Sequence, residues 1–140
     1  MSAMHPEPYA RPVPEPTKES APYWEGLRAH RLQVQKCKGC GALRHYPRPV
    51  CPHCWSMEVE WATLSGRGRL HSWTVCAHPF HPGFRDAVPY VAATVELEEG
   101  VRIQAPLHGV NPGALKVGLP VKVGYDDVTP TLTLPRVEPA

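Results

Sequence analysis

A mostly β fold, built from a short N-terminal helix, a metal-stapled ribbon and a small five-stranded barrel, is predicted by three observations. Four of the five cysteines form two Cys-x-x-Cys pairs separated by ten residues; apolar and polar residues alternate through most of the second half; and 18 prolines among 140 residues interrupt long helices. A chain of this length holds one ordinary domain, or a small stapled module joined to a compact barrel. The second arrangement is expected here: a Pro-rich flexible tail over residues 1–19, a helix and ribbon over 20–62, and a barrel over 63–140.

Composition narrows the class of protein. The hydrophobic content of 42% supports a modest core. No apolar run approaches the ~20 residues that span a bilayer, and the polar, Pro-rich start lacks the apolar stretch of a secretory signal, so a cytoplasmic protein with no membrane partner is expected. The formal charge of +2 comes from Lys and Arg scattered among acids, without a basic stripe to follow a phosphate backbone. Nucleic acid is disfavoured on that ground.

The elements follow in order. Pro6, Pro8, Pro12, Pro14 and Pro16 fix backbone angles and remove donors, which makes the tail extended, disordered, or an arm that orders on a partner. Ser20 caps a helix with Pro22 in its first turn; Tyr23, Trp24 and Leu27 share one side, and the helix ends near His30. Leu32, Val34 and Lys36 then switch to period two, a strand entering the first cysteine pair. Beyond Cys54, a strand from Arg69 to Cys76 carries Trp73 and Val75. Val91, Ala93, Val95 and Leu97 share one face opposite Thr94 and Glu96, and Val101, Ile103, Ala105 and Leu107 repeat this after a turn at Glu99-Gly100. Val121, Val123 and Tyr125 make a further set, and Leu132 and Leu134 a shorter one. Residues 111–118 leave room for one helical turn. Five short antiparallel strands with that insertion fit a Greek-key barrel of the OB type.

Cys37-Lys-Gly-Cys40 and Cys51-Pro-His-Cys54 are two knuckles, each placing two thiolates on one metal from a tight turn. Gly39 and Gly41 give the first its backbone freedom, and Pro52 restricts the second. A reducing compartment argues against disulfides, and a redox dithiol would explain only one pair. Four thiolates close a tetrahedral shell, whereas catalytic zinc keeps a position open. One structural zinc is expected.

Other residues carry weaker signals. Cys76, His78 and His81 are close enough for a second metal site or a nucleophile and base, but no carboxylate is placed to orient them, and a lone Cys is ordinarily a small buried hydrophobe. His53 is not needed once Cys54 completes the set. Glu96, Glu98, Glu99 and the pair Asp126-Asp127 read as solvated strand ends, and Arg67 and Arg69 as exposed strand ends or phosphate contacts. The loop from His78 to Pro89, with Phe80, Phe84 and Arg85, is long for so small a barrel and is the best local candidate for a binding surface.

Together the order Tyr23-Trp24-Glu25-Gly26-Leu27, the two knuckles, Pro82-Gly83-Phe84, Val88-Pro89-Tyr90-Val91-Ala92, Val95-Glu96-Leu97-Glu98-Glu99-Gly100, Gly118-Leu119-Pro120-Val121 and Leu132-Thr133-Leu134-Pro135 resembles the acyl-CoA-associated OB-fold family long catalogued as domain of unknown function 35, over about residues 20–138. The resemblance implies an N-terminal helix, a rubredoxin-like zinc ribbon and an OB barrel, with the zinc on Cys37, Cys40, Cys51 and Cys54. It also implies an accessory subunit of a thiolase-fold partner, either a lipid-transfer-type aldolase or an acyl-CoA condensing enzyme, with no fixed catalytic residue of its own. The His-rich stretch Cys76-Ala-His-Pro-Phe-His81 departs from any fixed family pattern.

A non-catalytic binding module that helps a partner shape its acyl-CoA site is therefore expected, with Tyr23, Trp24, Phe80, Phe84, Arg85 and Tyr90 as the surface toward partner or ligand. Two other classes compete. A single-stranded nucleic-acid binder would need stacking aromatics interleaved with basic residues. An independent hydrolase or lyase would rest on Cys76 and a histidine alone.

Overall fold

The computed structural model describes residues 9–140. Pro6 and Pro8 of the predicted tail lie outside the described residues, whereas Pro12, Pro14 and Pro16 run without helix or strand. Helix α1 (Ala21–Arg28) buries Tyr23, Gly26 and Leu27. Ser20 sits at its N-cap but makes no capping bond; its hydroxyl accepts from the Thr17 amide at 2.8 Å, because the preceding turn offers that donor first. At the other end the Arg31 amide reaches the Gly26 carbonyl (2.8 Å) and the His30 amide the Leu27 carbonyl (2.9 Å). This is a Schellman closure, and His30 takes the left-handed position at φ 57°.

Strands β1 (Leu32–Cys37), β2 (Leu43–Arg44) and β3 (Val59–Leu64) form an antiparallel sheet in the order β2-β1-β3, the ribbon. Strands β4 (Arg67–Cys76), β5 (Tyr90–Leu97), β6 (Arg102–Leu107), β7 (Pro120–Thr129) and β8 (Leu132–Pro139) close a five-stranded barrel in the order β4-β5-β6-β8-β7. The predicted alternation is the observed one: Val91, Ala93, Val95, Leu97, Ile103, Ala105 and Leu107 are all buried. The insertion between β6 and β7 holds one 3₁₀ turn, Pro112–Ala114.

The last two strands correct the sequence reading. Asp126 and Asp127 lie inside β7 and not at a turn, and β8 continues past Leu134 to Pro139. A bulge between Asp127 and Thr129 shifts the inward phase, so that Val128 is 1% exposed although Val121 set the opposite parity. Simple alternation cannot follow a strand through such a break. Pro135, which has no amide to donate, sits beyond the single parallel pair, Leu107 with Val137, that joins β8 to β6.

Tyr23, Leu27, Leu32, Val34 and Leu64 join the barrel residues in one continuous core. Helix and ribbon base are thus packed on the barrel. A second tie is polar: the His30 ring stacks on Tyr125 (5.1 Å, 9° between planes) and its Nε2 lies 3.0 Å from Asp127 Oδ1, which also accepts from the Thr133 hydroxyl.

Candidate metal centre and ligand cleft

The two knuckles are near copies of one another. The Cys37 amide donates to the Ala42 carbonyl and the Cys51 amide to the Ser56 carbonyl, both at 2.9 Å; the Gly41 amide returns to the Cys37 carbonyl (2.8 Å) and the Trp55 amide to the Cys51 carbonyl (3.0 Å). In each, an amide two residues on points at the first sulfur: Gly39 N to Cys37 Sγ at 3.3 Å, His53 N to Cys51 Sγ at 3.4 Å. Closing the turn needs a left-handed residue after the second cysteine. Gly41 supplies it at φ 77° in one knuckle, and in the other Trp55 does so at φ 67° with its ring 80% exposed.

This repeat brings the four sulfurs within 4.8 Å of one another, with Cys37–Cys54 at 3.4 Å and Cys40–Cys51 at 3.7 Å. A disulfide would need ~2.05 Å. A tetrahedron of ~2.3 Å metal–sulfur bonds has sulfur–sulfur edges of roughly 3.8 Å, so the set fits one zinc ion. Electrostatics agree. The Cys40 amide, more than offsetting burial, brings Cys37 down to about 6, and the Cys54 and His53 amides lower Cys51. At Cys54 the Ser56 amide also lowers, but the neighbouring Cys37 thiol, burial and the other two sulfurs push it up to about 12. Four thiolates this close cannot all stay ionised without a cation among them. Bound zinc would supply that charge and cross-link the two turns.

The second feature is a cleft of about 1210 Å³ between helix, ribbon and barrel. Its floor is the outer face of β5 and β6, where Ala92, Thr94, Gln104 and Pro106 lie between Tyr90 at one end and Arg102 at the other. One wall is an aromatic cluster around Tyr23, with Trp24 at 5.0 Å, His45 at 4.9 Å and Tyr46 at 5.7 Å between ring centres; the Trp24 indole donates to the Tyr46 hydroxyl at 3.2 Å. The opposite wall is Phe84 stacked on Tyr90 at 5.6 Å. Burial holds the His45 ring neutral, with its pKa down to about 4, and likewise raises Tyr23.

Of the predicted surface residues, Tyr23, Trp24, Phe84 and Tyr90 line this cleft. Phe80 and Arg85 do not: both are exposed, and Phe80, at 92%, stands out from the barrel beside His78. Sequence reasoning missed His45 and Tyr46, although a His-Tyr pair between the knuckles was a signal that the linker carries aromatic surface. Asp127, read as a solvated strand end, is a fastening for α1. Among the described residues the four cysteines are the one group clustered for a metal. His81 Nδ1 instead accepts from the Gly83 amide at 3.0 Å, and the Cys76 thiol lies beside the Tyr90 hydroxyl, whose pKa it raises.

A four-thiolate ribbon packed on a closed five-stranded barrel defines a zinc-ribbon OB-barrel protein. Within that class, the chain belongs to the ChsH2-type DUF35 family. Residues 24–60 match the ChsH2 rubredoxin-like zinc ribbon domain and residues 61–126 the ChsH2 C-terminal OB-fold domain. It is similar to a probable enoyl-CoA hydratase alpha subunit of Thermomonospora curvata, 40% identical over 130 residues; these are 93% of this chain but 40% of that protein, so the chain spans about two fifths of its length. It is also similar to a DUF35 domain-containing scaffold protein of Pyrococcus furiosus, 38% identical over 102 residues, 72% of this chain and 74% of the relative. A solved structure described as an Ltp2-ChsH2(DUF35) aldolase superposes with a TM-score of 0.82 at 38% identity, covering 91% of this chain and 98% of the matched one.

Proposed function

We propose that this chain is a non-catalytic, zinc-stapled subunit that docks on a thiolase-fold enzyme acting on acyl-CoA, a lipid-transfer-type aldolase or a condensing enzyme, and lends its cleft to that enzyme's acyl-CoA site. The cleft carries this reading: its volume of about 1210 Å³ and its aromatic walls suit an apolar acyl group. A closed thiolate shell leaves zinc no position for substrate, which fits a scaffold more than a catalyst. The likeness to a scaffold protein and to an aldolase assembly supports the partner class. Tyr23, Trp24, Phe84 and Tyr90 would face the acyl group, while Phe80 and Arg85 would meet the partner. The nucleic-acid reading is weaker, because the cleft's rings are packed on one another, Tyr23 with Trp24 and Tyr46 and Phe84 with Tyr90, and no run of basic residues follows them.

Co-expression with a thiolase-fold acyl-CoA enzyme, followed by size-exclusion chromatography and acyl-CoA turnover, tests this. The pair should co-migrate, the chain alone should turn over nothing, and Phe80→Ala should weaken assembly by about 1–3 kcal/mol. Separate migration with a fully active lone enzyme would refute the subunit reading.

A further inference from the structure

We propose that the N-terminal arm is a wall of the cleft and that Arg11 is the cleft's anion-binding residue, so that the preferred ligand is an amphiphilic anion: an apolar body ending in a carboxylate or phosphate. Tyr9 and Arg11 both line the cleft, although they lie before the helix and far from the barrel strands in sequence. Arg11 is held there by two contacts across the fold. Its Nε donates to the Gly83 carbonyl at 3.0 Å, and its guanidinium carbon lies 4.6 Å from the centre of the Phe84 ring.

Gly83 provides independent support. A Cβ at this position would lie 2.5 Å from the Ala10 carbonyl oxygen and 2.8 Å from the Ala10 carbonyl carbon, which are backbone atoms that cannot swing aside. Its φ is not among the positive ones, so the turn itself does not demand glycine. What it permits is the close approach of the arm. The barrel loop is therefore shaped to receive residues 10 and 11.

The charge around the cleft gives the ligand class. Arg11 and Arg102 line it, with Arg136, which already reaches Glu138 at 3.7 Å, against one lining carboxylate, Asp126, among the described residues. No ion pair between described residues involves Arg11, whose guanidinium is fixed in orientation by the Gly83 carbonyl, the Phe84 ring and the Tyr9 hydroxyl at the edge of the cleft. A rigid guanidinium with no carboxylate partner among the described residues, set beside an aromatic slot, recognises an anion attached to an apolar body.

This rests on the cleft being a ligand site, as in the preceding reading, but is tested on this chain alone. Binding of decanoate, decanoyl-CoA and decanol to the full-length zinc-loaded protein is followed by calorimetry; the first two arms separate a carboxylate from phosphates. Wild type should favour at least one anion over decanol. Arg11→Ala should cut affinity for that anion on the order of 10-fold or more, the range of one charge-assisted bond, while leaving decanol unchanged. Gly83→Ala, which displaces the arm without altering charge, should weaken that anion at least as much and, by moving a wall of the cleft, weaken decanol as well. The inference is overturned if wild type binds none of the three, if it shows no anion preference, or if Arg11→Ala weakens decanol as much as the anions. The same variants are run against the thiolase-fold partner. Intact assembly without Arg11-dependent binding leaves the subunit reading standing, and Arg11-dependent binding without any assembly leaves only the ligand site.

Discussion

The ribbon and the barrel are small β-structures in one chain with opposite interiors. The barrel encloses Leu70, Val91, Val95, Leu97, Ile103, Val121 and Val137, an apolar filling of the kind that stabilises any closed sheet. Between its knuckles the ribbon encloses sulfur and hydrogen bonds. Cys37 and Cys51 are each 1% exposed. Beside them Gln35, equally buried, accepts through Oε1 from Arg44 Nε and from the Arg48 amide, both at 2.8 Å, while Arg44 Nη2 donates to the Arg48 carbonyl at 2.9 Å. The knuckle end, with so little apolar area to bury, depends on a covalent or metal staple, whereas the ribbon's base shares the barrel's core through Leu32, Val34 and Leu64.

The largest expected effect breaks the molecule along that line. Chelation, or Cys40→Ser, should unfold the ribbon, because metal binding supplies on the order of 10 kcal/mol of folding free energy in such modules. Circular dichroism should retain the barrel's β signal while about one zinc per chain is released. Zinc lost with the ribbon's amide resonances unmoved would contradict the structural role. The mirror experiment is Leu70→Ala, which removes a side chain 1% exposed from the barrel. It should cost about 2–5 kcal/mol in chemical denaturation and leave zinc content unchanged.

A smaller change sharpens the contrast. Gln35→Leu is nearly isosteric and would strengthen an apolar core, but here it strands the Arg44 and Arg48 donors. A loss of roughly 1–3 kcal/mol is expected, and a stabilised variant would mean the ribbon interior is apolar after all.

The smallest effect concerns the tie between the two units. The Thr133 hydroxyl first, then His30, hold the Asp127 carboxyl below its ordinary value of 3.8. A carboxyl with a depressed folded pKa contributes stability that is complete above its unfolded pKa and lost as pH falls through the folded one. Asp127→Asn should therefore cost on the order of 0.5 kcal/mol at neutral pH, with the two proteins converging in acid. A difference that grows below pH 3.8 would reverse the assignment.

What was legible in the sequence follows the same division. Barrel strands announce themselves because Val91 to Leu107 alternate between an apolar interior and water, and the metal site because Cys-x-x-Cys spacing is set by sulfur geometry. Gln35 and Arg44 were not legible as interior residues, since their burial depends on a partner across the sheet and not on their own polarity. Neither was the cleft. Its walls come from an arm, a helix, a linker between knuckles and two barrel edges, and no local pattern records which distant segments will meet. The bulge in β7 hid Val128 for a related reason: one extra residue inverts the parity on which the reading depends.

The barrel's closure has a dynamic consequence. Four of its five seams are antiparallel ladders of three or more residue pairs, but β6 and β8 meet at one parallel pair, Leu107 with Val137, supplemented by the His108 amide on the Val137 carbonyl at 2.8 Å. That line is where the cylinder opens at least cost, and its amides should exchange with solvent ahead of those in the other ladders. Leu107, His108 and Arg136, on either side of it, also line the cleft. Whatever fills the cleft therefore lies across the joint and acts as a clasp, slowing the exchange of the His108 amide without touching the zinc.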